Sequence, residues 1–190
     1  MTTRFSRNLF SLLLVLALAF AVVTPAVADA PAPDKSTGKF EIKFMEGMID
    51  HHMMAVMEAE LCLEKAVHEE LRQMCENIIA TQSEEMMMMQ MWLQDWYGIS
   101  YEPKMTTGMM RQIEKLAELD GAEFEIEFME SMIKHHLGAI KEGEKSLDRA
   151  YHPELLHLCQ NIIDTQMMEI EMMQGWLCEW YGICKDYLKA

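Results

Sequence analysis

Residues 44–52 read Phe-Met-Glu-Gly-Met-Ile-Asp-His-His, and residues 128–136 read Phe-Met-Glu-Ser-Met-Ile-Lys-His-His. The offset between the two strings is 84. It holds without a gap from Phe40-Glu41-Ile42 and Phe124-Glu125-Ile126 to Trp96-Tyr97-Gly98-Ile99 and Trp180-Tyr181-Gly182-Ile183. Roughly 34 of 60 aligned positions are identical, the mark of a duplicated structural unit. Each unit reads as two helices. Apolar Phe44, Met45, Met48, Ile49, Val56 and Leu63 recur at helical spacing in the first, and Leu71, Met74, Ile78, Met89, Trp92 and Trp96 do so in the second. His68-Glu69 and His152-Pro153 mark the turns, since Pro is tolerated in a first helical turn. Gly98 and Gly182 follow as C-terminal stop signals.

Two hairpins that cannot bury their apolar stripes alone bury them against each other. The expected fold is therefore all-α: an antiparallel four-helix bundle made of two tandem helical-hairpin repeats, 40–99 and 124–183, with a short tail over 184–190. The crossover 100–123 holds a short helix that Thr106 or Thr107 can cap, running through Leu119, and Asp120-Gly121 breaks it. Residues 29–39, rich in Ala and Pro, read as a mobile stretch ahead of the first repeat.

Residues 1–28 read as a secretion signal. Arg4 and Arg7 form a basic start, Leu9 to Val23 is an apolar run, and Ala26-Val27-Ala28 has the small-x-small pattern of a signal peptidase site. The alternative, a retained anchor, needs a run of about 20 residues and a stop-transfer segment, and neither is found. The expected location is outside the cytoplasm, with no stable membrane insertion after cleavage. Export puts Cys62, Cys75, Cys159, Cys178 and Cys184 in an oxidising compartment. Cys178 with Cys184 can clip a helix end and Cys62 with Cys75 can staple a hairpin, but sequence does not fix connectivity, and the odd count leaves at least one thiol over.

The 190 residues are 51% hydrophobic and carry a net charge of −15, which becomes −17 once cleavage removes Arg4 and Arg7. A nucleic-acid partner needs clustered Lys and Arg, so the acidity excludes that class. The 21 methionines far exceed what filling core gaps requires.

Projected at about 100° per residue, the first helix places Met45, Met48, His52, Ala55, Ala59 and Leu63 inward. His51 sits at the margin, and Met53, Met54 and Met57 point outward. The second helix turns Ile78, Gln82, Glu85, Met89, Trp92 and Trp96 inward and leaves Met86, Met87 and Met91 outside. The second repeat aims His136, Gln166 and Glu169 inward, with Met129, Met132 and Met173 alongside. Buried polar groups need partners. One solution is a hydrogen-bonded His–Glu–Gln core network. The other is a metal site in which His and Met ligate while Glu accepts the other imidazole proton.

Ligand type selects the metal. Thioether sulfur is soft and suits Cu(I), with Ag(I) as its mimic, whereas Mg, Ca and Mn want oxygen. Met-x-x-Met-x-x-His-His, from Met45 to His52 and again from Met129 to His136, sets two thioethers and imidazole on neighbouring turns. The candidate ligands are Met45, Met48, His51, His52, Met53, Met54, Met57, Glu85, Met86 and Met89 in the first repeat. Those in the second are Met129, Met132, His135, His136, Glu169, Met172 and Met173. Plain packing is the competing reading for a Met stripe. It fails for Met86-Met87-Met88-Met89 and Met91, because consecutive residues cover nearly the whole helix circumference. Leu137, Gly138 and Lys141 stand where the first repeat has Met53, Met54 and Met57, so outer sulfurs are expected to be richer in the first repeat. Thioethers do not titrate, so a Met-dominated site is expected to keep Cu(I) at pH 5 where a His-dominated one weakens.

Enzymatic readings fare poorly. Di-iron bundles use Glu-x-x-His on two helices, yet Ile49 and Ile133 stand three residues before His52 and His136, and the one match, Glu154-x-x-His157, has Glu70 and Gln73 as its counterpart. His157 and Cys159 apart, no His lies close to a Cys in a pattern for blue copper, and there is no nucleophile elbow, P-loop or dinucleotide fingerprint. His68 and His152, at the turns, are expected to be solvated.

The string Phe44-Met45-x-x-Met48-Ile49-x-His51-His52, followed by Ile78-Ile79-x-x-Gln82-x-x-Glu85-x-x-x-Met89-x-x-Trp92, resembles the signature of the ferritin-like family numbered 305 among the domains of unknown function. The second copy repeats it from Phe128 to His136 and from Gln166 to Trp176. The resemblance implies a four-helix bundle that binds Cu(I) and Ag(I) outside the cytoplasm and protects the cell from copper. The expectation is a non-enzymatic periplasmic copper protein whose partners are metal ions and a copper exporter or another periplasmic copper protein. Rival classes are a Met-rich interaction module and a methionine oxidant sink.

Overall fold

The computed structural model describes residues 30–189, so the candidate signal 1–28 lies outside the described residues. Those residues form five helices and no strand: α1 Lys35–Lys65, α2 Glu69–Tyr97, α3 Thr107–Ala117, α4 Gly121–Leu147 and α5 Pro153–Tyr181. Helix α1 packs against α2, α4 against α5, and α1 against α4, while the short α3 lies on α1 and α4.

The ends of the helices follow local chemistry. Asp34 caps α1, its carboxylate accepting from Ser36 N and Thr37 N. This overturns the expectation of a mobile stretch up to residue 39: an acidic cap outweighs the Ala- and Pro-rich composition before it. Thr106 caps α3, its hydroxyl accepting from Met109 N. Gly98 at φ 66° and Gly182 at φ 69° close α2 and α5 in the left-handed region, where a Cβ would be strained. Arg72 donates to the Leu63 and Ala66 carbonyls, satisfying the end of α1.

Cys62–Cys75 cross-links the α1–α2 hairpin and Cys178–Cys184 clips the end of α5, leaving Cys159 buried and free. At the 84 offset, Cys75 corresponds to Cys159 and Cys62 to Ser146. Burial pushes the Cys159 thiol up to about 12, and Ser146 lies beside it. Ser146→Cys is expected to complete a second hairpin bridge, raising stability by about 2–3 kcal/mol. A free-thiol titration of the denatured variant checks it: no reactive thiol supports the bridge, two contradict it.

Two apolar clusters fill the interior. One holds Ala55, Ala59, Leu71, Ile78, Phe124, Phe128, Ile133 and Leu177, and the other holds Phe44, Ile49, Met89, Leu93, Leu155 and Ile162. Each long helix passes from one cluster into the other, and buried polar residues stand at the crossing: His52, Gln82, Glu85, His136, Gln166 and Glu169.

Each end is closed by a matching polar cluster. Buried Glu41 accepts from Tyr151 N, His152 N, His152 Nδ1 and the Tyr97 hydroxyl. Glu125 accepts from Val67 N, His68 N, His68 Nδ1 and the Tyr181 hydroxyl. Each carboxylate thus caps the N-terminus of the second helix in the other hairpin. His152 stacks on Trp96 at 3.7 Å and His68 on Trp180 at 3.8 Å between ring centroids. The turn histidines are therefore not solvated as expected: His152 is buried and His68 half-buried, each held by a glutamate from the opposite hairpin.

Candidate metal centre

His52 Nε2 donates to Glu85 Oε2 at 2.7 Å, and His136 Nε2 donates to Glu169 Oε2 at 2.6 Å. The carboxylate can only accept, so the lone pair of the neutral ring falls on Nδ1. Between these pairs His51 and His135 stack with centroids 3.5 Å apart, and His135 Nε2 donates to the His51 carbonyl at 2.9 Å. Adjacent rings on each helix lie 6.2 Å apart for His51 and His52 and 6.1 Å for His135 and His136. Four imidazoles therefore form a row across the middle of the molecule. The Nδ1 atoms of all four are buried without a hydrogen-bond partner.

Burial, with the neighbouring His52 and His136 rings, pushes His51 down to about 3. Burial and the His51 and His136 rings hold His135 well below its ordinary value. Both rings are neutral near pH 7, the state in which imidazole ligates. His51 therefore takes no proton at pH 5, which narrows the expected pH contrast between sulfur and nitrogen sites at that ring. Each unpaired buried polar group costs about 1–3 kcal/mol, so four bare Nδ1 atoms in one layer are expensive for a core whose only task is packing.

Thioethers share the buried helix faces that carry these residues. Met45, Met48, Met89, Met129, Met132 and Met173 are buried as the projections placed them. Among the described residues no three His, Cys, Asp or Glu converge on a common point. A metal held by these imidazoles would need sulfur to complete its ligands.

Several outer assignments change. Met54 and Met86 are buried and Met53 and Met57 half-buried, where all four were expected outside. Helix α3 lies over that side of α1, so Met54 shares a cavity with Leu116 and Leu119, and Met86 joins the cluster of Phe44 and Ile49. Met87 and Met91 are exposed on α2, matched by Met168 and Met172 on α5. Exposed sulfurs are thus two in each hairpin, while half-buried Met53, Met57 and Met88, against Met167, leave the first richer in partly open ones. Met168 escaped notice because its counterpart in the first repeat is Glu84.

A cavity of about 820 Å³ beneath α3 reaches His51, Met54 and His135. Beside it, Gln112 Nε2 donates to Glu58 Oε1 at 3.1 Å and to Ser131 Oγ at 2.7 Å. Burial pushes Glu58 up to about 7 despite the hydrogen bonds from Gln112 and Ser131. A carboxyl raised in the fold gives stability that is whole below its unfolded value near 4.5 and lost as pH rises through about 7. Glu58→Gln is therefore expected to be more stable than the parent by about 2–3 kcal/mol at pH 8 and no different at pH 4. Urea midpoints at the two pH values check this.

The fold and centre define an all-helical protein built around a buried histidine–carboxylate layer. The chain belongs to the family described as Domain of unknown function (DUF305), whose model matches residues 41–177. Among solved structures it is similar to CopM in the Cu(I)-bound form, with 32% identity and a TM-score of 0.68 over 75% of this chain and 98% of that one. CopM in the Ag-bound form obtained by co-crystallization is 33% identical, with a TM-score of 0.67 over 75% of this chain and 98% of that one. A DUF305 fragment from Deinococcus radiodurans is 27% identical, with a TM-score of 0.67 over 79% and 99%. No curated protein matches the chain.

Proposed function

We propose that this chain is a periplasmic Cu(I)-binding protein, a four-helix bundle of two tandem hairpins that sequesters the ion or hands it over through Met and His and catalyses no reaction. The observation that carries the reading is the row of four imidazoles whose Nδ1 atoms are buried and bare. In two of them, His52 and His136, the other nitrogen is spent on a carboxylate, the arrangement metal-bound histidine shows. Thioether completion selects a soft monovalent ion, Cu(I) or its mimic Ag(I). Similarity to CopM, solved with Cu(I) and with Ag bound, supports the same choice.

Copper tolerance is the role this binding would serve. Exposed Met87, Met91, Met168 and Met172 offer soft contacts through which a copper exporter or another periplasmic copper protein would take the ion, and the net negative charge concentrates cations near them. Anaerobic titration of the signal-free chain with Cu(I) against a competing chelator tests the reading. Binding tighter than about micromolar is expected, and weaker binding contradicts it. Replacing Met45, Met48, Met129 and Met132 with Leu keeps volume while removing sulfur. It is expected to weaken Cu(I) by at least about tenfold, and an unchanged affinity contradicts thioether ligation.

A further inference from the structure

Thr81, Gln82 and Glu85 on α2 and Thr165, Gln166 and Glu169 on α5 line one chamber of about 10 Å³. A void of that size holds a single water-sized group. The string Thr-Gln-x-x-Glu is the same on both helices, so the lining offers two carboxylates, two amides and two hydroxyls. In each carboxylate Oε2 accepts from a histidine, and no hydrogen bond engages Oε1. Gln82 and Gln166 are each 2% exposed, and neither the oxygen nor the nitrogen of either amide has a partner. The copper reading uses neither the amides nor the hydroxyls.

A lining whose acceptors are all oxygens is wrong for a soft monovalent ion and right for a hard one. We propose that this chamber is a site for one hard divalent cation of the Ca²⁺ or Mn²⁺ kind, held by side-chain oxygens of Glu85, Glu169, Gln82 and Gln166 with the threonine hydroxyls beside them. One such ion balances the two carboxylates and gives both buried amide oxygens a partner, neither of which packing supplies. Only two carboxylates meet here, in keeping with the absence of any three-membered His, Cys, Asp or Glu set among the described residues. Amide oxygens stand in for the third, as they do in many calcium sites. The site adjoins the soft one through the two His–Glu pairs but draws on other donors: its ligands are oxygens of α2 and α5, while the bare imidazole nitrogens belong to α1 and α4.

The test uses the signal-free chain without metal. Mn²⁺ is titrated in and read by loss of the electron paramagnetic resonance of the free ion. One tight Mn²⁺ per chain is expected above the weak background of surface acids, displaced by Ca²⁺ and not by Ag(I), together with a rise in Tm when either hard ion is added. The comparison is Gln82→Leu with Gln166→Leu, which keeps both His–Glu pairs and removes the unpaired amides, so it is expected to fold at least as well without metal. This variant is expected to lose the tight Mn²⁺ and the Tm response while still binding Ag(I). Equal Mn²⁺ binding by the two proteins, or none by either, overturns the site and leaves a chamber for water alone. Loss of Ag(I) binding by both would count against the copper reading and not against this one.

Discussion

Replacing His51, His52, His135 and His136 together with Ala is expected to weaken Cu(I) binding at least about a hundredfold. The four rings supply every bare nitrogen on α1 and α4 in the buried layer, and no carboxylate or thiol set among the described residues can replace them. The substitution also leaves Glu85 and Glu169 buried without their donors, so circular dichroism must show helix retained. A milder pair avoids that cost. His51→Ala with His135→Ala removes the stacked rings and only one hydrogen bond, from His135 to the His51 carbonyl. It is expected to fold normally and still lose most of the affinity. Unchanged binding in the pair, measured against a chelator without oxygen, would move the site to the exposed methionines.

The second large effect is on stability. Glu41→Ala is expected to cost about 3–5 kcal/mol and to lower Tm by roughly 10 °C, with Glu125→Ala close behind. Each carboxylate is fully buried and accepts four hydrogen bonds, two of them from backbone groups at a helix N-terminus. Removing it orphans all four donors at once. Burial pushes the two carboxyls up, but the hydrogen bonds from tyrosine, histidine and backbone outweigh it and hold both below the ordinary value of 4.5. A depressed carboxyl gives stability that is present above its unfolded value and lost as pH falls through the folded one. Calorimetry across pH 3 to 7 should show the parent's advantage over Glu41→Ala shrinking below about pH 4.5. An advantage that stays constant would mean that the ionised carboxylate is not what holds the two hairpins together.

What could be read ahead of the structure was what one helix shows by itself. Periodicity put His52, Gln82 and Glu85, and their counterparts, on buried faces, and Gly98, Gly182 and Thr106 marked ends that the helices use. Relations between elements distant in the chain stayed hidden. A projection shows that Met54 leaves the main stripe but not that α3 lies over it. It places His51 at a margin but not against His135, 84 residues away. Nothing in α1 alone marks Glu41 as buried, because its partners His152 and Tyr151 come from the other hairpin. Asp34 was masked by its Ala and Pro neighbours, although an acidic residue two and three positions before Ser36 and Thr37 was a legible cap.

The central claim is that one ion is held by imidazole nitrogen and thioether sulfur together. X-ray absorption at the copper edge, on the anaerobic signal-free chain loaded with less than one Cu(I), tests it most directly. The account predicts a monovalent edge with both nitrogen and sulfur in the first shell, the nitrogen vanishing in the His51→Ala, His135→Ala, His52→Ala and His136→Ala protein. A first shell of sulfur alone, or of oxygen and nitrogen without sulfur, would contradict it.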